Sequence, residues 1–248
     1  MPFSMPKPKK PANECLHRAY AIIAYAVDST SRFYDTYKSY RAEKTAGALS
    51  YAEQDLLRAM LVFSAAGLDS MLKQLVKDAL PVMLRHECQE AEEHLRTWAE
   101  RRMKSLPLEE DAEQDRVPRS TTFLAKVLTS TSPRDALIEL LVQDLIGDSL
   151  QSKEQVHKVV KYLGLGNRVE SLQSCGTELD RAFKYRNQIV HEMDVDFERT
   201  THQRRNRYNR AHDDMVRHVQ RMITIAKTIL HTVDELMTEL GTRKSFVG

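Results

Sequence analysis

Residues 183–196 read FKYRNQIVHEMDVD. A helical residue turns about 100° around the axis. On that wheel Leu179, Phe183, Val190 and Met193 form one apolar stripe, with Ala182 and Ile189 on its flank. Arg186 falls near the centre of the stripe. A permanent charge therefore stands where an apolar side chain belongs. Burying a guanidinium without a partner costs on the order of several kcal/mol. Arg186 must either meet an acidic partner or line a cleft that uses its charge. Asn187 and His191, four residues apart, share one side of the helix, whereas Arg186 and His191 diverge by about 140°. The plain alternative is an arginine paired with a core carboxylate and an Asn–His pair decorating a helix edge. Short motifs recur by chance, and on these residues alone the plain alternative is favoured.

The rest of the chain supplies the context. It has 248 residues, with only 8 Gly and 8 Pro, and is rich in the better helix formers. No alternating run bounded by turn residues marks a hairpin. These features predict an all-α protein of one large domain or two small ones. The formal net charge is +2, so bulk charge does not announce a nucleic-acid partner. Two basic clusters, PKPKKP at 6–11 and ERTTHQRRNRYNRAHDD at 198–214, are of the kind that attracts phosphates or simply forms a solvated surface. The 3 cysteines, Cys15, Cys88 and Cys175, make neither a disulfide framework nor a CxxC zinc site. The N-terminus lacks the apolar core of a secretory signal. No uninterrupted apolar run approaches the roughly 18 residues of a membrane span. A cytoplasmic protein is expected.

Residues 1–12 read as a disordered tail, followed by a long helix over about 13–46 and a break at Gly47. A second long helix covers about 50–80 and is interrupted by Pro81; a charged helix lies within 85–104. The two prolines and low apolar content of 105–120 mark a linker. Ser132 and Pro133 open a helix that ends at Gly147, and 152–166 holds a shorter one stopped by Gly164 and Gly166. Gly176 and Thr177 start the helix of the opening segment, with Thr177 and Asp180 in the spacing of an N-terminal cap. A last long helix runs over about 206–240.

With these elements placed, YRNQIVH resembles the Arg-x4-6-His signature of HEPN domains, in the form Arg-Asn-x-x-x-His, with Arg186, Asn187 and His191 in the motif positions. The stretch GDSLQSKEQVHKVVKYLGLGNRVESLQSCGTELDRAFKYRNQIVHEMD is similar to the approach to the motif in HEPN proteins of the RiboL-PSP type. FSAAGLDSMLKQLV supplies Asp69 and Lys73 where that family often carries an acidic and then a basic residue, with Asp in place of the more usual Glu. The resemblance covers roughly 50–240. It implies a HEPN-type helical bundle with an N-terminal helical extension. Within 13–104 lie the first core helices, and 121–248 holds the remainder with the motif. It also implies a homodimer that joins two motifs in one cleft. Many members of the family are metal-independent endoribonucleases acting as toxins or antiviral effectors; others only bind RNA or a partner protein. The implied partners are RNA, a second copy of the chain, and an antitoxin or regulatory protein. No cofactor, metal or membrane is implied.

The chemistry implied by the resemblance suits these residue types. RNA carries its own nucleophile, the 2′-hydroxyl. Histidine shuttles protons near neutrality, and arginine grips phosphate oxygens without deprotonating. Asn187 would orient the histidine or a phosphate oxygen. The products would be a 2′,3′-cyclic phosphate and a 5′-hydroxyl. Asp69 is expected to be partly buried and to approach Arg186 or Lys73. Arg204, Arg205 and Arg207 are expected to flank the cleft along the RNA backbone. Of the remaining constellations, His86, Cys88 and His94 do not have zinc-ligand spacing. Glu192, Asp194 and Asp196 read as helix-ending or imidazole-tuning acids before they read as a cation site. The GLG at 164–166 lacks the context of a phosphate loop. Trp98 is expected in a helix seam.

Overall fold

The structure is a computed structural model. It describes residues 5–42, 47–104, 119–166, 168–169, 176–198 and 206–245, for 119–120 and 243–245 the backbone alone. All regular elements among these residues are helical. A 3-10 turn at Glu14–Leu16 leads into α1, His17–Ala42, which is followed by α2, Tyr51–Asp78. α2 opens with a reciprocal cap. The Ser50 hydroxyl accepts from the Glu53 amide, and the Glu53 carboxylate accepts from the Ser50 amide at 2.6 Å, so two of the amides that a helix start leaves unpaired are satisfied. α1 and α2 cross closely because Gly67 faces Ala26: a Cβ on Gly67 would lie 2.3 Å from that of Ala26.

α2 is the helix that the others surround. It touches α1 and, in chain order, α3 (Leu80–Arg85), α6 (Pro133–Gly147), α7 (Lys153–Tyr162), α8 (Gly176–Glu192) and α9 (His212–Ser245). Its buried set, including Leu57, Leu61, Leu68, Met71, Leu72 and Leu75, covers more than one face, as a central helix must. By length and composition the run Tyr51–Arg85 is apolar enough to cross a membrane, and 61% of its most apolar window is buried inside the protein. The run is not uninterrupted: charged side chains, among them Arg58, Asp69 and Lys73, fall within it.

The charged helix α4, Gln89–Lys104, and α5, Arg119–Leu128, complete the other flank. Trp98 is buried there, donates to the Asp144 carboxylate at 3.1 Å and meets Phe123 edge-on. The single helix expected over 50–80 ends at Ala79, and Pro81 sits in the first turn of α3, where a missing N–H costs nothing. α5 was not foreseen. It is short and follows the proline-rich stretch, and 105–118 lies outside the described residues. The last helix starts at His212 rather than near 206, because 206–210 is drawn into contacts with α2 and the end of α8. Residues 5–12 also depart from the expected disordered tail. Pro8 and Pro11 are buried, and the Asp234 carboxylate accepts from the backbone amides of Ala12 and Asn13, each at 3.0 Å.

Gly67→Leu should lower the unfolding free energy by roughly 1–3 kcal/mol through overpacking against Ala26, as read by urea denaturation. The exposed neighbour Ala66→Leu should stay within about 0.5 kcal/mol of the parent. Equal effects of the two would show that the α1–α2 crossing is not that close.

Candidate functional site

On α8 the buried residues are Gly176, Leu179, Ala182, Phe183 and Ile189. Val190 and Met193, expected in the apolar stripe, are 40% and 64% exposed. The helical wheel accommodates Ile189 as well as Val190, and packing against α2 and α9 selects Ile189. Arg186 remains in line, three residues after Phe183 and three before Ile189.

Arg186 is half-buried. Its Nη1 donates to Asn187 Oδ1 at 3.0 Å, while its Nε is buried with no hydrogen-bond partner. Burial pushes its pKa down, and the field of Asp69 on α2 opposes that shift. The guanidinium still carries its charge at neutral pH. Among the described residues no carboxylate forms an ion pair with it. Asp69 is partly buried and serves two other groups: Oδ1 accepts from the Leu150 amide at 2.7 Å, and Oδ2 pairs with Lys73 at 3.3 Å. Asp69 thereby holds the α6–α7 connection beside α8, with Arg186 in its field.

Asn187 and His191 are exposed. Both line a shallow depression of about 430 Å³ together with Gln151, Ser152, Lys184 and Gln188. Arg186 is not in its wall, as the angular divergence along the helix requires. Asn187 is the link, since it accepts from Arg186 and shares the depression with His191.

The end of α8 is fixed by charge. Met193 and Asp194 take left-handed backbone conformations, φ 52° and 58°, and the Asp194 amide returns to the Gln188 carbonyl at 3.0 Å, a helix-terminating bond. The Asp194 carboxylate is fully buried between two arginines. Arg58 Nε on α2 donates to Oδ2 at 2.8 Å, and Arg210 Nη2, just before α9, donates to Oδ1 at 2.5 Å. Arg58 further donates to the Tyr208 carbonyl and to Asp55, and Arg210 to Gln188 Oε1. The Arg210 guanidinium lies 4.0 Å from the centre of the Tyr185 ring. An isolated antiparallel bridge joins Val195 to Arg207.

Asp194 therefore belongs to the helix-ending role expected for the acidic run. Among the described residues no group of three or more His, Cys, Asp or Glu forms a candidate metal cluster. Arg207 has partners within the chain: its Nη1 pairs with Asp55 at 2.6 Å and its Nε donates to the Met193 carbonyl, so it ties the loop after α8 to α2. Arg204 and Arg205 lie outside the described residues. Sequence reasoning missed Arg58 and Arg210. The signal was available for Arg58, a charge in a run of buried positions next to Leu57 and Leu61; nothing in the sequence paired it with Asp194.

One further buried group borders the motif helix. His218 on α9 is 2% exposed and meets the Tyr185 ring edge-on at 5.3 Å. Neither of its ring nitrogens has a hydrogen-bond partner. Burial pushes its pKa down; Asp214 and Glu178 oppose that shift, and Arg181 and Arg217 add to it.

No family model, no curated protein and no solved structure matches this chain.

The depressed pKa of His218 has a definite sign for stability. Its contribution is complete above the unfolded value of about 6.5 and is lost as the pH falls from there through the folded value, because the unfolded chain binds the proton first. His218→Phe keeps a ring against Tyr185 and removes the titration. It should flatten the fall of unfolding free energy below about pH 6.5 by up to ~1.4 kcal/mol per pH unit. Parallel pH profiles for parent and variant would refute the assignment.

Proposed function

We propose that this chain is a HEPN-type, metal-independent endoribonuclease that works as a homodimer, in the manner of a toxin or antiviral effector. The observation that carries the reading is the state of Arg186. Arg58 and Arg210 show what a structural arginine looks like in this protein: buried, and hydrogen-bonded to a shared carboxylate. Arg186 occupies the inward stripe of α8, yet among the described residues its single side-chain bond is to Asn187, and its Nε is unpaired. A buried donor left unpaired costs about 1–3 kcal/mol. A fold bears that cost more readily for a group that serves a substrate.

In this reading the guanidinium of Arg186 takes phosphate oxygens, and Asn187 sets its orientation. His191, exposed at the rim of the depression, moves protons. Cleavage needs one group to take the 2′-hydroxyl proton and one to protonate the leaving 5′-oxygen. One chain offers one motif histidine, so two copies of His191 related by a two-fold axis would supply both roles. The apolar side chains of Val190, Met193 and Phe197, 40%, 64% and 68% exposed, surround the end of the motif helix. Their exposure close together in sequence supports a second copy as the occupant of that surface. Asp69 and Lys73 then have a supporting role, holding the α6–α7 connection against the motif helix. A second reading, a non-catalytic module that binds RNA or a partner protein, draws on the absence of any side-chain hydrogen bond to His191 among the described residues.

Wild-type protein incubated with total RNA should yield fragments ending in 2′,3′-cyclic phosphate, undiminished by EDTA. His191→Ala should reduce the rate by at least about 10²-fold, the scale of a lost general acid–base group, with an unchanged melting temperature. Light scattering should give twice the chain mass. Cleavage that EDTA stops and added metal restores would overturn the mechanism. Binding of RNA without cleavage would favour the second reading.

A further inference from the structure

The basic segment PKPKKP at 6–11 plays no part in the proposed reaction, and the structure gives it a fixed place. It forms a strap across α9, tied down on both sides of its two central lysines. On one side Lys7 pairs with Asp28 of α1 at 3.1 Å, and Lys227 of α9 donates to the Pro6 carbonyl at 2.9 Å. On the other, the Asp234 carboxylate accepts from the amides of Ala12 and Asn13 and, at 2.7 Å, from Asn13 Nδ2. Those bonds hold the Asp234 pKa below the usual carboxylate range against the opposing effect of burial. Pro8 and Pro11 are buried, so Lys9 and Lys10 are left exposed between them.

Between strap and helix lies a cavity of about 380 Å³, lined by Lys9, Lys10, Lys227, Thr228, Leu230, His231 and Asp234 among others. Its charge is lopsided. Three lysines reach it, and the carboxylate of Asp234 is already occupied by three N–H donors. His231 carries its own counter-charge, Glu235 at 3.3 Å. Lys9 and Lys10 have no partner among the described residues. Part of the wall is apolar, formed by Pro8, Pro11 and the buried Leu230. Cations beside a small apolar wall fit a ligand with a phosphate at one end and a flat, weakly polar body at the other. The volume lies within the range of small-molecule sites, about 300–1,000 Å³. A strap tied at both ends needs little further ordering on binding, so less of the interaction is spent on immobilising the lysines.

We propose that the cavity between the 6–12 strap and α9 binds a nucleoside 5′-phosphate, free or at the 5′ end of an RNA, with Lys9 and Lys10 on the phosphate and the Pro8–Pro11–Leu230 wall against the base. This site is independent of Arg186 and His191 and does not rest on the ribonuclease reading.

The test is titration calorimetry on the full chain with five probes: ADP, adenosine, inorganic phosphate, and a 2′-O-methyl oligonucleotide with and without a 5′-phosphate. ADP or the phosphorylated oligonucleotide should bind more tightly than adenosine, inorganic phosphate or the unphosphorylated strand. Which of the two binds better separates the free nucleotide from the RNA end. The Lys9→Ala/Lys10→Ala double variant should weaken that binding by about tenfold or more, since bonds to charged groups contribute about 1.5–3 kcal/mol. Both lysines are exposed, so its melting temperature should match the parent's. His191→Ala should bind as the parent does. Unchanged affinity in the double variant would overturn the proposal, as would failure of both phosphorylated probes to bind. Inorganic phosphate binding as tightly as ADP would overturn the assignment of the apolar wall.

Discussion

The buried carboxylate of Asp194 joins three parts of the chain that are far apart in sequence. Arg58 reaches it from the middle of α2 and Arg210 from the approach to α9, while Asp194 itself ends α8. Withdrawing three charges from water costs several kcal/mol per ion, and only close geometry with further hydrogen bonds offsets that. Those bonds are present. Arg58 also serves Asp55 and the Tyr208 carbonyl, Arg210 serves Gln188, and Gln54 exchanges hydrogen bonds with the backbone of Arg210. The cluster fixes where α8 stops and how the helix is rotated against α2. Through that rotation it sets which side chains of the RNxxxH segment face inward and which face the depression.

Two classes of arginine result. Arg58, Arg207 and Arg210 are committed to protein carboxylates and carbonyls and define the loop geometry. Arg186 shares their partly buried setting but not their partners: Asp69, the acid whose field raises its pKa, is engaged by Lys73 and the Leu150 amide. The contrast matters because burial alone does not distinguish a structural ion from a functional one. The number and kind of acceptors does. The Asn187 side chain, bonded to Arg186 on one side and lining the depression with His191 on the other, connects the two motif residues on a single helix that points them apart.

The helical class, the caps at Ser132 and the path of α8 were legible in the sequence because each depends on local pattern. Arg186 stood out for the same reason: it breaks a stripe of period 3.6. The rotation of α8 was less legible, since Ile189 and Val190 fit the wheel equally and only the neighbouring helices decide between them. The partners of Arg207 are not legible in its basic run, because a sequence does not reveal that Asp55, on a distant helix, comes within 2.6 Å. The strap at 5–12 was hidden for a related reason. Its prolines look like those of a tail until Asp234 supplies the acceptor that pins it.

The most direct measurement sets Arg186→Met beside Arg58→Met, with unfolding free energy and RNA cleavage followed for both. Arg186→Met should leave stability within about 1 kcal/mol of the parent or raise it, because an apolar side chain suits the stripe, while cleavage disappears. Arg58→Met should lose about 3–5 kcal/mol, the cost of leaving a buried charge half-paired. The contrary result, a large loss of stability for Arg186→Met with RNA cleavage retained in whatever remains folded, would make Arg186 a structural ion and remove the basis for a catalytic site on α8.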